Sequence, residues 1–271
     1  MEQTQRQETK EMPAYTYLEL ERAHRVLKVT IRREEKLNAM YDAMMEELTA
    51  CFRWLHEQMD VHAVVLTGTG KAFMAGADIG GYHDFDMGQF FAFQDRGREM
   101  YRAIEACGKP VIAAVNGYAL GGGFELAMAC DLVIASEKAK FGLPEVKLGL
   151  VPGGGGVQKL ARVAGPYMAK ELLMTGRFVH AAEGRALRFV NQVTEHDKLL
   201  ESAMQQAVQL AEQAPLAVQA LKKLVNEGRD ASLESAQAYD RSYLANLFCS
   251  DDAKEGIAAF AEKRQPRFQG K

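Results

Sequence analysis

Residues 115–136, VNGYALGGGFELAMACDLVIAS, decide the fold. Three consecutive glycines, Gly121–Gly123, mark a turn, and the apolar segment that follows them predicts a short helix. The last part, DLVIAS, has the β-branched composition of a strand. Glu125 is the one acidic residue inside the helical segment. A turn, a helix and a strand in such close succession are typical of an α/β fold.

The same organisation continues on both sides of this stretch. Alternating apolar residues predict strands within 15–31, a β-branched run predicts a buried strand at 61–68, and a helix is expected from about Phe85 to Ala106. Beyond residue 195 the sequence becomes helical throughout, with predicted helices at 196–212, 215–227, 232–249 and 251–263. The expected architecture is therefore an α/β body of about 200 residues followed by a helical tail.

Composition excludes several classes of protein. The chain has 271 residues with 33 basic and 36 acidic side chains, a net charge of −3, which predicts no strong attraction to nucleic acid or anionic membranes. No apolar run approaches the roughly 20 residues that span a bilayer. Residues 1–10 lack the apolar core of a signal peptide, so a cytoplasmic location is expected. The four widely spaced cysteines predict buried free thiols, and the scattered histidines predict no metal site.

Two more glycine loops flank the central stretch, Ala75–Ile79 upstream and Gly153–Gly156 downstream. Tight turns alone would account for them, since glycine fits where a Cβ does not. Phosphate binding is not favoured, because the sequence has neither GxxxxGK[ST] nor a GxGxxG that opens the first strand–helix unit. A third use is an oxyanion hole, in which the backbone N–H groups of Ala77 and Gly122 donate to one carbonyl oxygen.

Two acidic residues accompany these loops. Glu125 follows the glycines of the central stretch, and Glu145 ends the segment FGLPE. Two carboxyl groups that flank one water would tend to share a proton, so that one serves as a base and the other as an acid. Either glutamate alone is more typical of a solvated or capping residue. Their combination with the glycine loops favours a catalytic pair.

At these positions the sequence resembles the enoyl-CoA hydratase/isomerase, or crotonase, family. The resemblance covers nearly the whole chain, and its matching stretches are KAFMAGADI (71–79), residues 115–136, FGLPEVKLGLVPGGGGVQKLAR (141–162) and EGIAAFAEKRQPRF (255–268). It implies a crotonase-like spiral of β-β-α repeats and a C-terminal helical region that builds homotrimers or homohexamers. The expected divisions are a polar N-terminal extension at 1–14, a spiral core at 15–200 and a helical oligomerisation region at 201–271.

The resemblance also implies roles for individual residues. The N–H groups of Ala77 and Gly122 would hold the thioester oxygen of an acyl-CoA, Glu125 would activate water, and Glu145 would deliver a proton to the α-carbon. CoA would arrive as part of the substrate, with no separate cofactor. Further substrate-binding candidates are Lys36, Ala75, Asp78, Ile79, Gly121, Gly153, Phe260 and Lys263. For Asp78 a hydrogen-bonding role within its loop is the alternative, and for Phe260 and Lys263 a packed core side chain and a solvated one.

Several positions depart from the family pattern. Gly80 stands where many members have lysine, and Glu34 and Glu35 replace the proline and lysine of the usual entry loop. Lys36 is a candidate to supply the displaced positive charge. These departures concern how the CoA phosphates are held and leave the reaction centre unchanged.

Hydration of a trans-2-enoyl-CoA is the favoured activity, because isomerases of the family often lack the first glutamate. Isomerase, thioester hydrolase and dehalogenase chemistry on the same fold remain alternatives, as does a binding protein without turnover. Loss of an acid or of a glycine loop would indicate the last of these, and the sequence shows neither loss.

Overall fold

The computed structural model describes residues 12–271, so most of the predicted N-terminal extension, residues 1–11, lies outside the described residues. The strands of the described part are β1 Leu18–Ala23, β2 Val26–Ile31, β3 Ala63–Gly68, β4 Ala72–Met74, β5 Val111–Val115, β6 Tyr118–Leu120, β7 Leu132–Ser136, β8 Lys140–Gly142, β9 Val179–His180 and β10 Gln192–Thr194. The α-helices are α1 Asp42–Glu57, α2 Met87–Ala106, α3 Gly122–Ala129, α4 Gly156–Ala164, α5 Pro166–Thr175, α6 Ala181–Ala186, α7 Leu199–Ala211, α8 Pro215–Gly228, α9 Leu233–Phe248 and α10 Asp251–Glu262.

The larger sheet has six strands in the order β1-β2-β3-β5-β7-β10. β1 pairs with β2 in antiparallel fashion, and every other pair in this sheet is parallel. All five residues of β5 are buried, as are the first five of β3, because helices cover both faces of the sheet. The strands predicted within 15–31 and at 61–68 are confirmed.

The smaller sheet positions the glycine loops. Its order is β4-β6-β8-β9, and β4, β6 and β8 are parallel neighbours. The segments that leave the carboxyl ends of these three strands therefore emerge side by side at one edge. Ligand sites of parallel α/β sheets form at such edges.

The predicted helices are confirmed, with small shifts at their ends. α2 begins two residues later than expected, because Asp86 caps it: its carboxylate accepts from the N–H of Gln89, whose side chain accepts in return from the Asp86 N–H. Ser232 and Ser250 cap α9 and α10 in the same position. No helix within residues 12–271 combines the length and apolar character needed to cross a membrane.

The first helix of the helical tail packs against the α/β body, although the sequence changes there from an α/β pattern to a helical one. α7 crosses the expected boundary at residue 200, and its buried residues Ala203 and Ala207 pack with Val65 and Ile112 of the larger sheet. The short alanine side chains let this helix lie close to the strands. The division of the chain at residue 200 stays a prediction.

The last three helices carry an apolar surface that the chain itself does not cover. Seven large apolar side chains of α8, α9 and α10 are more than half exposed: Leu221, Val225, Leu233, Leu244, Phe248, Ile257 and Phe260. An exposed apolar area of this extent indicates an interaction surface.

The four cysteines are free thiols, as predicted. Cys51 and Cys107 are buried, and Cys130 is partly buried. Cys249 is exposed, so the expectation of burial is wrong for it. It is the C-cap of α9, in the tail whose outer surface the chain leaves open.

Candidate active site

A cavity of about 240 Å³ lies at the edge of the smaller sheet where β4, β6 and β8 end. The predicted site residues that line it are Ala75, Ala77, Ile79, Gly121, Gly122, Glu125, Glu145 and Gly153. A larger, more open groove of about 670 Å³ between α1 and α2 contains none of the predicted site residues. The structure therefore brings the three glycine loops and both glutamates to one cavity.

Two residues that line this cavity, Ala77 and Gly122, have backbone N–H groups without a partner in their own secondary structure. Gly122 is the first residue of α3, and the N–H at this position has no acceptor inside its helix. Ala77 forms a parallel bridge with Met40 in which Met40 donates to the Gly76 carbonyl and accepts from the Asp78 N–H. Because N–H directions alternate along an extended strand, the Ala77 N–H points away from Met40. Ala77 and Gly122 line the same cavity, which is the placement that a pair of oxyanion-hole donors requires.

Glu125 is deeply buried and firmly held. Its side chain is 4% exposed, and its Oε1 accepts the N–H groups of both Gly154 and Gly156 at 2.8 Å. These donors stand at the start of α4, where the helix dipole favours negative charge. Burial raises the pKa of Glu125, and the two N–H donors act in the opposite direction. Gly153–Gly156 thus has a function that the sequence did not indicate, which is to hold the carboxylate of Glu125.

The hydrogen bonding of Glu145 differs from that of Glu125. It follows Pro144 in a short 3₁₀ helix after β8, and its Oε2 is buried without a hydrogen-bond partner among the described residues. Burial, reinforced by the charge of Glu125, raises the pKa of Glu145 to about 7. Glu125 has two N–H donors for its negative charge, whereas the Oε2 of Glu145 has none among the described residues, so a proton is more favourable on Glu145 than on Glu125. The two carboxyl groups therefore differ in environment, which is what an acid–base pair of like residues requires.

One face of α2 forms a wall of the cavity. Phe90, Phe93, Gln94, Gly97 and Tyr101 line the cavity at helical spacing. The buried Tyr101 donates its hydroxyl hydrogen to the Gly122 carbonyl at 3.0 Å, which fixes the first residue of α3. The periodicity of these residues was visible in the sequence, but it is equally typical of an ordinary core-facing helix.

Four predicted binding residues lie outside the cavity lining. The carboxylate of Asp78 accepts from Arg33 at 2.7 Å, which agrees with a hydrogen-bonding role in its loop. Lys36 is exposed close by, where its charge helps to lower the pKa of Asp78. Phe260 is 87% exposed on α10, and Lys263 is exposed as its C-cap. The alternative that Phe260 packs in the core of its own chain is wrong, and neither residue lines the cavity of its own chain.

Gly123 lets α3 lie against the strand that precedes the first glycine loop, and we expect the Gly123→Ala substitution to break this contact. A Cβ at this position would overlap the carbonyl oxygen of Met74, so backbone must move. Overpacking of this kind costs about 1–3 kcal/mol or more. Chemical denaturation should show that loss, together with reduced activity, because Met74 precedes the loop of Ala77. The matched control is Gly228→Ala, whose new Cβ meets only Ala236 at an ordinary 3.5 Å. Equal stability of the two variants would contradict the prediction.

Comparison with known proteins gives a consistent result. The family model described as enoyl-CoA hydratase/isomerase matches residues 21–271. The short-chain-enoyl-CoA hydratase of Clostridium acetobutylicum is 40% identical over 247 residues, which cover 91% of this chain and 95% of that protein. The crotonyl-CoA hydratase of Syntrophomonas wolfei is 39% identical over 95% of this chain and all of its own length. A crystal structure of an enoyl-CoA hydratase from Bacillus anthracis superposes with a TM-score of 0.91 at 35% identity, covering 94% of this chain and 100% of that one.

Proposed function

Because this chain belongs to the enoyl-CoA hydratase/isomerase family, we propose that it adds water reversibly, with syn stereochemistry, across the double bond of a trans-2-enoyl-CoA. The product is a 3-hydroxyacyl-CoA, and the enzyme class is that of its relatives. The observation that carries the proposal is that Glu125, Glu145, Ala77 and Gly122 all line one cavity.

In the proposed reaction, the N–H groups of Ala77 and Gly122 donate to the thioester oxygen and stabilise the enolate charge that develops there. Each such donor is worth about 10²–10³ in rate. A water that hydrogen-bonds to the Glu125 carboxylate attacks the β-carbon and gives its proton to that carboxylate. Glu145 transfers its proton to the α-carbon, so no proton is gained or lost overall. Both glutamates line the same cavity, which supports addition to one face of the alkene.

The reaction as proposed uses only protein groups and the substrate, with CoA arriving as part of the thioester. Lys36 is the proposed contact for a CoA phosphate, since it is exposed and carries the positive charge of its loop. Isomerase, hydrolase and dehalogenase activities remain alternatives on this fold. The presence of both carboxyl groups at the cavity favours hydration, which needs a base for water and an acid for carbon.

The test is direct assay with trans-2-enoyl-CoA substrates of increasing length, beginning with crotonyl-CoA. Loss of the conjugated absorbance with formation of the 3-hydroxyacyl product supports the proposal. Migration of the double bond without alcohol, or release of free CoA, contradicts it in favour of an isomerase or a hydrolase. Calorimetry with a non-hydratable acyl-CoA would detect a protein that binds without turnover.

The pH dependence should be bell-shaped, with its alkaline limb near pH 7. Glu145 must be protonated to act as the acid, and its pKa is raised to about 7, so kcat/KM for hydration should fall as the pH rises through that value. The dehydration direction should show the same profile, because the two reactive states of the pair carry the same single proton. Initial rates in both directions from pH 5 to 9 check this, and a flat profile between pH 6 and 9 would contradict it.

The exposed apolar face of α8–α10 supports assembly into a homotrimer, or a hexamer of two trimers. A second copy of the chain that packs against α8–α10 would cover these apolar side chains. In the same assembly, Phe260 and Lys263 would lie near the cavity of the neighbouring copy. Sedimentation analysis is the measurement, and a monomer at micromolar concentration would contradict the proposed assembly. The cytoplasmic location stays a prediction.

A further inference from the structure

One arginine holds the segment that pairs with the loop of Ala77. The guanidinium of Arg33 donates to the carbonyl of Ala39 at 2.8 Å and to the carboxylate of Asp78 at 2.7 Å. Its central carbon lies 4.3 Å from the ring centroid of Tyr41, which is a cation–π contact. The Arg33 side chain is 13% exposed, and these three contacts fix the orientation of its planar fork.

The contacts of Arg33 lie on both sides of the bridge between Met40 and Ala77. The N–H of Asp78 donates to the Met40 carbonyl at 2.8 Å, which pairs the two segments through their backbones. Ala39 directly precedes Met40, and Asp78 directly follows Ala77. Arg33 therefore joins the two segments a second time, at residues adjacent to the bridge.

Met40 also contacts the second proposed oxyanion donor. A Cβ built on Gly122 would lie 2.8 Å from the Cε of Met40, so the thioether side chain packs against the first residue of α3. Met40 is buried and lines the cavity. The segment that Arg33 holds therefore touches both residues whose N–H groups are proposed to bind the thioester oxygen.

We propose that Arg33 is a positioning residue for the oxyanion hole, because its clamp between Ala39 and Asp78 holds the N–H of Ala77 in register with that of Gly122. This inference rests on the proposed hydration and on its two N–H donors. Arg33 is not among the residues that line the cavity, and it touches no substrate in this scheme. Loosening the clamp should lower kcat more than affinity, since an oxyanion hole acts most on the charge that develops in the transition state.

The first measurement is kinetic. Arg33→Met keeps an apolar stem beside Tyr41 and removes both hydrogen bonds of the guanidinium. We expect kcat for hydration of crotonyl-CoA to fall by about 10- to 100-fold, less than the loss of about 10²–10³ for a deleted donor, with KM changed by no more than about threefold. The matched control is Arg32→Met, since this neighbouring arginine is 55% exposed and pairs with Glu19 of β1. It should leave kcat unchanged.

The second measurement reports on the hydrogen bonds to the thioester oxygen. Glu125→Gln, which should not turn over its ligand, is saturated with a conjugated dienoyl-CoA, whose absorbance moves to longer wavelength when its carbonyl is polarised. Adding Arg33→Met should reduce this red shift by about half, because one of the two donors is misplaced. Adding Arg32→Met should leave it unchanged. A structural role of Arg33 remote from the oxyanion hole would not alter the spectrum of the bound ligand.

A kcat in Arg33→Met equal to that of the Arg32→Met control would overturn the inference. So would an unchanged red shift, whether the variant loses kcat or only affinity, since the latter indicates a contact with CoA. If Arg33→Met does not fold, Asp78→Ala breaks the clamp from its other side and is judged by the same two measurements. An unaltered enzyme that forms no 3-hydroxyacyl-CoA contradicts the proposed function itself, whereas an unchanged red shift in a working hydratase contradicts only the role of Arg33.

Discussion

Replacing Glu125 with glutamine is expected to lower kcat/KM for hydration of crotonyl-CoA by about 10²–10⁴. The amide cannot accept the proton that water must lose as it attacks the β-carbon. Binding of the acyl-CoA should change little, because the backbone donors of Ala77 and Gly122 are untouched. Steady-state kinetics and calorimetry with a non-hydratable acyl-CoA, measured on the same preparation, separate the two effects.

The Glu125→Gln variant should also fold, which makes the result interpretable. The Oε1 of a glutamine can still accept the N–H groups of Gly154 and Gly156, so the contact between α3 and α4 is retained. Glu137→Gln is a suitable control, since it changes a carboxylate outside the cavity lining in the same way. Activity in Glu125→Gln within a few-fold of the control would show that Glu125 is not the base.

Replacing Glu145 with glutamine should also lower kcat/KM for hydration by about 10²–10⁴, and at the same time raise stability. The catalytic loss follows because an amide does not deliver a proton to the α-carbon. In the unaltered enzyme, kcat/KM is expected to fall as Glu145 ionises near pH 7. The residual kcat/KM of the variant should not show this fall. A Glu145→Gln variant with near-full activity, or with that fall unchanged, would remove Glu145 from its proposed role.

The stability gain of Glu145→Gln follows from the raised pKa of the glutamate. The ordinary carboxyl, as in the unfolded chain, ionises near 4.5, whereas the folded one keeps its proton up to about 7. The folded state therefore binds more protons between these values, and the free energy of unfolding falls as the pH rises through this window. A neutral amide avoids that loss. After discounting for the partial exposure of Glu145, the variant should be more stable by about 1 kcal/mol at pH 8 and nearly unchanged at pH 4.

Urea denaturation at the two pH values measures this difference. The comparison of each variant with the unaltered enzyme at the same pH removes the contribution of the other titrating groups. A variant that is less stable at pH 8 than the unaltered enzyme would show that Glu145 is held as a stabilised carboxylate, contrary to its unpartnered Oε2.

Much of the fold could be predicted because local patterns determine it. The β-branched run at 61–68 and the glycines at 121–123 each specify one element and its end, whatever the rest of the chain does. The two glutamates could be predicted because they directly adjoin such patterns. The family resemblance then placed the elements in one spiral, which the solved structure from Bacillus anthracis supports at a TM-score of 0.91.

The other residues around the site could not be predicted, because their contacts join elements that are far apart in the sequence. Nothing local distinguishes Tyr101 from a core tyrosine, or Lys159 from a solvated lysine of α4. Their contacts come from the packing of α2 and α4 around α3, which joins the Tyr101 hydroxyl to the Gly122 carbonyl and Glu105 to Lys159. Phe260 shows a second limit, since a phenylalanine in a helical pattern is typical of a packed core, whereas the structure leaves this one 87% exposed.

The wall formed by Ile79, Tyr82 and the cavity-facing side of α2 belongs to one continuous segment, whereas both acids reside on later elements. Substitutions at residues 79–97 would therefore change this part of the cavity wall without altering the segments that carry Glu125 and Glu145. Mutant libraries confined to residues 79–97 would test whether this part of the wall selects the acyl group of the substrate, because Glu125 and Glu145 stay unchanged in every member.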